Sequence, residues 1–525
     1  MASPLARTSY ESDSSGEHRG LILLIVAIGL GLRVYQLSLP GHLFGITEYD
    51  DGVYFGAALR LVGGFVPYKD YVLVQPPGIA VLLSPIALLA KAIGTANGLA
   101  VARVFTVAVA GSNVALVGFL VRSRGKIAVT VACGVMAVYP QGIASSQTIL
   151  LEPYLNLFCL LALAFCFRSS HFRASWSAIF VGGVFFGIAG SIKAWAIIPV
   201  AVVVILSFAE SRASGIGKPF TLLTGIGAGF AAFTLPFIAL APREFFHQVV
   251  AVQLTRVPGQ RVGIETRLGD ITGASPFIWL FGHQSLVVAA LSCTLALLFV
   301  CALVRVIWRV TALSVFAVAT TALVFLALMW PSDFYYHYAA FEAPFLALTL
   351  AVATSNSGDD GWGEFGEGHG RAAFPVAAAM LSLFVVLQAA YQSTASAAPL
   401  PKKMADAVIP KGACVVSDQV SLLVASNRFY STKGGCPRLL DPFGTALALS
   451  GGRTVDGGAA QSAGVVSYWL SALDRAQYVW LTPQNARRIP WTAVTRSYFD
   501  SHFKTIFASG SELGTIYQRS ASRPS

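Results

Sequence analysis

Residues 48–78, EYDDGVYFGAALRLVGGFVPYKDYVLVQPPG, follow the first long apolar run of the chain, at 20–39. Two adjacent carboxyl groups, Asp50 and Asp51, therefore stand just beyond a candidate membrane helix. If a helix begins here, its unpaired N–H groups favour acids in the first turn, and both residues can be simple caps. Alternatively, one carboxylate is a general base, with Tyr54 one turn further along the same helix face. The stretch predicts a helix at the membrane edge and leaves both roles open.

The composition is typical of an integral membrane protein. Of 525 residues, 55% are hydrophobic and only 12% are charged, and the mean hydropathy is +0.67, whereas soluble domains carry about 25% charged residues. The formal net charge is +11, but Lys and Arg collect in the cytoplasmic loops of membrane proteins. No Lys- and Arg-rich run with interleaved aromatic residues occurs, so nucleic acid is not expected as a partner.

The apolar runs predict about eleven membrane spans, because a spanning helix needs roughly 20 apolar residues. Four basic clusters, including RSRGK at 122–126, are placed in the cytoplasm together with the N-terminus. The spans then alternate correctly only if 79–93, which is short and contains Pro85, lies in the outer interface instead of crossing. The predicted spans are 20–39, 99–121, 127–140, 153–167, 176–192, 194–209, 219–240, 284–304, 311–330, 338–353 and 373–394.

This topology divides the chain into three parts in a multi-pass protein of the cell membrane. A disordered cytoplasmic tail, 1–19, precedes the membrane domain, 20–394, whose first outer loop is 40–98. Residues 395–525 follow the last span and are placed outside the cytoplasm. The predicted fold class is an α-helical polytopic membrane protein with interfacial helices and a small C-terminal extracytoplasmic α/β domain.

The C-terminal part has its own pattern of strands and helices. Strands are expected at 413–419 and 476–482, with a helix after the first of them and a terminal hairpin around 510–514. Roughly 130 residues are enough for a separate core. The only two cysteines of this part, Cys414 and Cys436, can form a disulfide if the domain is exported.

The predicted topology brings ionisable residues that are far apart in sequence to the outer face. The acids are Asp50, Asp51 and Glu152, and the bases are Arg103, Lys193, Arg256, Arg261 and His337. Simpler explanations exist for each base, since Lys and Arg at helix ends can snorkel and arginines of the loop 241–283 can pair with lipid headgroups. His337 can belong to an aromatic belt at the interface, and Glu152 can cap a span.

Several short motifs, taken in order, resemble one group of membrane enzymes. The motifs are DDxxY at 50–54, PYKDY at 67–71, QPP at 75–77, ARVF at 102–105, LLEPY at 150–154, SIKAW at 191–195 and FYYHY at 334–338. They resemble the polytopic GT-C glycosyltransferases, which include aminoarabinose transferases, protein O-mannosyltransferases and mycobacterial arabinosyl- and mannosyltransferases. The resemblance covers about residues 20–350. The usual motif of that family is DExxY, so Asp51 stands where its members have Glu.

The resemblance implies transfer of a sugar from a polyprenyl-phosphate donor to a cell-envelope glycan, lipid or protein, with inversion, at the outer face. An acceptor hydroxyl must lose a proton and the departing phosphate gains charge, which calls for a carboxylate and for basic groups. Asp50 is the preferred base, Asp51 is the second choice, and Glu152 would orient the acceptor or the base. The implied phosphate-binding residues are Arg103, Lys193, Arg256, Arg261 and His337, and the candidate substrate-binding residues are Tyr54, Tyr68 and Gln75.

The expected partners are the sugar donor, the acceptor and membrane lipids, and no metal cofactor is expected. No CxxC or HExxH motif occurs, although Asp50 and Asp51 together can hold a divalent cation. The rival function is a transporter or flippase of lipid-linked sugar intermediates, which would place ionisable groups near the bilayer midplane and often contains repeated halves. The sequence has no internal repeat and its acids cluster at the ends of spans, which favours an enzyme.

Overall fold

The computed structural model describes residues 18–168, 170–173, 175–211, 216–257, 261–331, 333–355 and 373–520. The predicted N-terminal tail lies outside the described residues except for its last two positions. In the described part the chain is mostly helical, with one four-stranded sheet and one short hairpin. The predicted class, a helical polytopic membrane protein with a small α/β portion near the C-terminus, is confirmed.

Each predicted span coincides with a helix, but the helices differ in length. Seven described helices are long and apolar enough to cross a membrane, and a bent pair, Lys126–Val138 with Pro140–Ser146, makes up to eight. Three other predicted spans are helices of 16 or 17 residues, Leu151–Cys166, Trp176–Ile192 and Ala339–Thr354, shorter than the roughly 20 residues of a typical span. The count of eleven stays a prediction. The seven are His18–Ser38, Thr95–Arg124, Ala194–Ser211, Gly217–Leu240, Gln284–Trp308, Ala312–Met329 and Ala373–Gln392.

Glycines let two helices of the membrane domain pack backbone against backbone. A Cβ atom at Gly183 would lie 2.4 Å from the carbonyl oxygen of Leu222, and one at Gly187 would lie 2.2 Å from that of Ile226. Gly225 and Gly229, in Gly217–Leu240, lie equally close to carbonyl oxygens of Trp176–Ile192. Small residues four apart are the usual means of close helix approach in membranes, so this stripe fixes Trp176–Ile192 against Gly217–Leu240.

The segment predicted as the first outer loop, 40–98, contains two helices, Asp50–Val62 and Gly78–Ile93, that pack on each other. Gly78–Ile93 has 16 residues and occupies the segment predicted to lie in the interface. Gly52 lies so close to the C-terminal part that a Cβ there would be 2.1 Å from the backbone nitrogen of Ser421. The C-terminal part therefore rests directly on the first outer loop.

The C-terminal part contains a mixed sheet of four strands: β3 (Val415–Ser417), β4 (Tyr478–Leu481), β5 (Phe503–Ala508) and β6 (Thr515–Arg519). Their order is β3-β4-β6-β5; β3 and β4 are parallel, and the other pairs are antiparallel. A disulfide joins Cys414, just before β3, to Cys436. The strands and the terminal hairpin thus lie where the sequence pattern predicts them.

Shorter elements connect these parts. Strands β1 (Phe167–Arg168) and β2 (His171–Phe172) pair as a hairpin between two membrane helices. The other helices are Pro242–Phe246, the π-helix His247–Ala251, Val252–Leu254, Ile264–Thr272, Ser275–Phe281, Pro401–Val408, Val420–Ala425, Pro442–Ser450, Ala463–Arg475 and Ala493–His502, with short 3-10 turns that include Ala194–Ala196 and Tyr336–Tyr338.

Candidate active site

A cavity of about 690 Å³ lies where the first outer loop, the segment after Met329 and the C-terminal part meet. Acidic and basic side chains both line this cavity, whereas a crevice that faces lipid is lined by apolar side chains. The ionisable residues that line the cavity are Glu48, Asp50, Asp333, Asp441 and Asp456, and Lys193, Arg256, His337, Arg487 and Arg488. A space of this size that is lined by convergent polar groups is typical of a small-molecule site.

The two adjacent acids face different surroundings. Asp50 lines the cavity, whereas Asp51 is fully buried behind it and forms an ion pair with Arg103. Asp51 also accepts hydrogen bonds from the hydroxyl of Thr148 and from the backbone N–H of Ile149, the latter at 2.7 Å. Adjacent helix residues point about 100° apart, so one carboxylate reaches the cavity and the other binds the protein interior.

Arg103 is part of this interior brace and does not line the cavity. Its side chain is fully buried, and Nη1 donates to the carbonyl oxygens of His42 and Leu43, both at 2.9 Å. Nη2 donates to Thr47 at 3.0 Å and to Asp51. The N–H groups of Arg103 thus hold the segment that precedes Asp50–Val62. Arg103 does not lie at the cavity, where the phosphate of the sugar donor was expected to bind.

The carboxyl group of Asp50 is poised to titrate near neutral pH. Withdrawal from bulk water in the cavity raises its pKa to about 7, with further raising by Glu48, Asp441 and Glu152, while His337 acts in the opposite direction. The hydroxyl of Tyr54 lies 3.4 Å from the Asp50 carboxylate. A carboxyl group with such a pKa suits a general base, because near neutral pH a substantial fraction is ionised and that carboxylate is more basic than an ordinary one.

Glu152 holds two basic residues of the cavity side by side. Its Oε1 accepts a hydrogen bond from Lys193 Nζ at 2.6 Å and lies 3.0 Å from His337 Nδ1. The carboxylate itself is fully buried and does not line the cavity. Burial and Lys193 lower the pKa of His337, but the adjacent Glu152 raises it more, so the pKa lies above its usual value.

Lys193 reaches the cavity because a helix ends there. It is the C-terminal cap of Trp176–Ile192, and a 3-10 turn, Ala194–Ala196, redirects the chain. The ammonium group lies 4.4 Å from the ring centre of Trp195 and 4.2 Å from that of Tyr338. Aromatic faces stabilise a cation at such distances, so the positive charge is held at the cavity wall by Glu152 and by two rings.

Of the two arginines predicted from the loop 241–283, one lines the cavity. Arg256 forms an ion pair with Asp333 at 2.8 Å, and its guanidinium lies 5.4 Å from the ring centre of Phe443. Arg261 is exposed and is absent from the lining, although its neighbour Val262 contributes to it. The structure therefore brings Arg256, but not Arg261, together with Lys193 and His337.

The three predicted substrate-binding residues also separate. Tyr54 and Gln75 line the cavity. Tyr68 is buried outside it and donates a hydrogen bond from its hydroxyl to the carbonyl oxygen of Gln75 at 2.7 Å. Tyr68 adopts a left-handed backbone conformation with φ of 70°, which costs energy for a residue with a side chain. Tyr68 thus supports the cavity wall and does not form part of its surface.

The C-terminal part supplies site residues that the sequence patterns did not reveal. Asp441 caps Pro442–Ser450, accepting from Gly444 N at 2.8 Å, and also accepts a hydrogen bond from the Tyr49 hydroxyl at 2.7 Å. Arg488 lies 4.7 Å from the ring centre of Tyr49 and pairs with Asp418 at 3.3 Å. The Asp-Pro pair signalled only a helix start, and no local pattern marks a contact across 392 residues.

No set of three or more His, Cys, Asp or Glu side chains is arranged to hold a metal ion within the described ranges. That finding concerns protein ligands alone, and independence from a metal stays a prediction.

Comparisons with known proteins agree with the motifs and the geometry. Residues 89–211 match the family model described as dolichyl-phosphate-mannose-protein mannosyltransferase. No curated protein sequence matches the chain.

Two solved structures extend the likeness over the whole chain. ArnT from Cupriavidus metallidurans bound to undecaprenyl phosphate is 14% identical, with 96% of this chain and 98% of that chain covered and a TM-score of 0.61. The oligosaccharyltransferase AglB from Archaeoglobus fulgidus, in complex with an inhibitory peptide and a dolichol-phosphate, is 15% identical, with 97% and 75% covered and a TM-score of 0.51. The chain therefore has the GT-C fold that its motifs predicted, and the family match together with this fold indicates a membrane glycosyltransferase.

Proposed function

We propose that the chain transfers a sugar from a polyprenyl-phosphate donor to a hydroxyl group of a cell-envelope glycan, lipid or protein, with inversion at the anomeric carbon. The observation that carries the proposal is that Asp50 and a basic cluster line the same cavity of about 690 Å³. The cluster consists of Lys193, Arg256 and His337. A base and anion-binding groups in one cavity are what a single displacement at a sugar phosphate needs.

The reaction is a single exchange at the anomeric carbon. The acceptor oxygen forms a bond to this carbon while the bond to the phosphate oxygen breaks, and the lipid phosphate leaves with the bonding electrons. The Asp50 carboxylate takes the hydroxyl proton, consistent with its pKa of about 7. Attack from the face opposite to the leaving group inverts the configuration.

The basic cluster stabilises the phosphate as it leaves. Lys193 is already positioned by Glu152 and by two aromatic rings, and Arg256 by Asp333. Donors fixed before the reaction stabilise developing charge more effectively than mobile ones. Arg103 and Arg261 are not needed for this role.

A lipid phosphate is the donor group favoured by the comparisons. The matching family model names a dolichyl-phosphate sugar, and the two similar structures were solved with undecaprenyl phosphate and with a dolichol-phosphate. The cavity adjoins the ends of membrane helices, so a polyprenyl tail can stay in the bilayer while its headgroup reaches Lys193. We place the site on the outer face of the membrane, with the N-terminus in the cytoplasm.

The test is transfer by the purified full chain in detergent, with a panel of radiolabelled polyprenyl-phosphate sugars and a cell-envelope extract as acceptor. One sugar should be consumed by the wild type and not by Asp50→Asn. Asp500→Asn, which removes an exposed carboxylate that does not line the cavity, is the matched control. Because detergent solution has no second compartment, a transporter or flippase would consume none of the donors. Transfer by Asp50→Asn at the wild-type rate would remove Asp50 as the base.

A further inference from the structure

A second cavity, of about 700 Å³, lies at the opposite end of the helix that begins with Asp50. From Asp50 to Arg60 the helix Asp50–Val62 rises about 15 Å. The loop that follows the helix separates the two spaces, with Val72 lining the second and Leu73 lining the first. We call this second space the basic groove, and none of the proposed transfer chemistry uses it.

The basic groove has a strong excess of positive charge. One acidic residue, Asp70, lines it, against six basic residues. Exposed Lys69, Lys433 and Arg475 have no carboxylate partner at ion-pair distance within the described part of the chain. Such an imbalance attracts anions, whereas the candidate active site carries acids and bases in similar number. The six basic residues are Arg60, Lys69, Arg428, Lys433, Arg438 and Arg475.

Aromatic rings lie between these charges and hold two of them in place. The Arg60 guanidinium lies 4.4 Å from the ring centre of Phe429, and that of Arg438 lies 4.0 Å from the ring centre of Phe65. Nε of Arg60 is buried and has no hydrogen-bond partner in the described residues. Stacking on one face leaves the planar fork of a guanidinium able to bind a carboxylate or a phosphate, and Arg438 already pairs with Asp70 in this way, at 3.5 Å.

The walls of the groove are fixed before any ligand binds. The hydroxyl of Tyr430 donates to the carbonyl oxygen of Leu59 at 2.9 Å, and that of Tyr71 to Ala57 at 3.2 Å. The Cys414–Cys436 disulfide fastens the loop that carries Lys433 to the start of β3. Binding to a preformed wall loses less conformational entropy than binding that must order a loop.

We propose that the basic groove binds an anionic carbohydrate, a chain of sugar rings that bears carboxylate or phosphate groups. The exposed cations match the acidic groups, and the half-buried rings of Phe65, Tyr430 and Tyr468 in the groove lining offer apolar surface to the C–H faces of the sugar rings. The charge of the groove alone would suit any polyanion. The choice of a carbohydrate rests on the proposed function, because the groove and the cavity that would receive the acceptor are lined by the same outer loop. The groove would then hold a part of the acceptor remote from the reacting hydroxyl.

The test is a binding measurement that needs no transfer activity, so its failure is distinct from failure of the proposed function. Pentagalacturonate is titrated into the purified full chain in neutral phosphatidylcholine nanodiscs, with neutral maltopentaose as the comparison ligand. Replacing three exposed residues, Lys69→Gln, Lys433→Gln and Arg475→Gln, should weaken pentagalacturonate binding about tenfold or more, since each lost charge contributes modestly. Lys504→Gln, on exposed β5 and outside the groove, should leave it within about twofold.

Three outcomes would overturn the proposal. Equal affinity of wild type and triple variant would mean that pentagalacturonate binds elsewhere. Equally tight binding of linear pentaphosphate would mean that the groove selects charge and not sugar. Loss of pentagalacturonate binding when phosphatidylglycerol is added to the nanodiscs would assign the groove to an anionic lipid headgroup. Selective binding of pentagalacturonate that the triple variant loses would support it.

Discussion

Asp50 can act as a base only when it is ionised, so its raised pKa makes the proposed transfer depend on pH. With a pKa of about 7, the carboxyl group is mostly protonated below neutral pH. We expect kcat/KM to fall about tenfold per pH unit below 7 and to level off above it, since kcat/KM reports groups of the free enzyme. The measurement is a profile of the wild type from pH 5 to 9, with the fold checked by circular dichroism at each pH.

Asp51 should contribute to stability where Asp50 contributes to catalysis. Asp51→Asn leaves the buried Arg103 guanidinium without its counter-charge, which typically costs about 3–5 kcal/mol of the free energy of unfolding. Thermal unfolding in detergent measures the loss, and Asp50→Asn is the matched neighbour, since no ion pair joins Asp50 to a base among the described residues. Equal destabilisation by both variants would contradict the division of roles.

Residue identity was easier to predict from sequence than residue orientation. The DDxxY motif pointed to a pair of acids beside the cavity, but either acid of an adjacent pair can face it. Which one does so depends on Arg103, 52 residues away, which binds Asp51. Arg103 was expected to bind a phosphate. No local sequence feature distinguishes a basic residue near a span end that binds a substrate from one that binds the protein interior. Glu152 differs, because Lys193 and His337 were predicted from the sequence to lie near it, and its carboxylate contacts both of them.

Among the helices, the glycine contact between Trp176–Ile192 and Gly217–Leu240 has the clearest consequence. Gly187→Ala would place a Cβ atom 2.2 Å from the carbonyl oxygen of Ile226, and overpacking of this kind costs about 1–3 kcal/mol. Because the first helix ends at Lys193, we also expect lower transfer activity. Unfolding temperature and kcat/KM in detergent are the two readouts.

The second helix provides its own control for this prediction. A Cβ added at Gly227 meets no atom within 4 Å, so Gly227→Ala should leave both unfolding temperature and activity close to the wild type. Similar losses from both substitutions would mean that backbone flexibility or membrane insertion, and not the contact, determines the effect, because alanine has the higher helix propensity.

Element positions followed from the sequence because they depend on local pattern. Apolar run length predicted the positions of the long apolar helices, and alternation with turn residues predicted β3, β4 and the hairpin of β5 and β6. The lengths of the helices were less predictable, since Leu151–Cys166 ends where the chain turns into β1. A hydropathy pattern does not contain the packing that bends or shortens a helix.

At the scale of the whole molecule, the active-site cavity depends on docking of the C-terminal part onto the first outer loop. Gly52 contacts Ser421, and Thr95 donates a hydrogen bond to the carbonyl oxygen of Val424 at 2.6 Å. The sequence predicted both partners as separate units on one side of the membrane. It did not predict their contact, because the complementary surfaces are more than 300 residues apart and neither carries a repeated or periodic pattern.

The hydrogen bond from Tyr49 to Asp441 links this docking to the base. Tyr49 is next in sequence to Asp50. Tyr49→Phe removes one of the hydrogen-bond donors to the buried Asp441 carboxylate, which costs about 1–3 kcal/mol of stability. We expect faster hydrogen exchange in both 48–54 and 441–450 and roughly tenfold lower kcat/KM, with each part still folded. Tyr498→Phe, which removes a similar Tyr–Asp bond of 2.8 Å on the exposed surface, should change neither. If Tyr49→Phe leaves exchange at 441–450 unaltered, this hydrogen bond does not hold the C-terminal part against the outer loop, and Asp441 has no part in positioning Asp50.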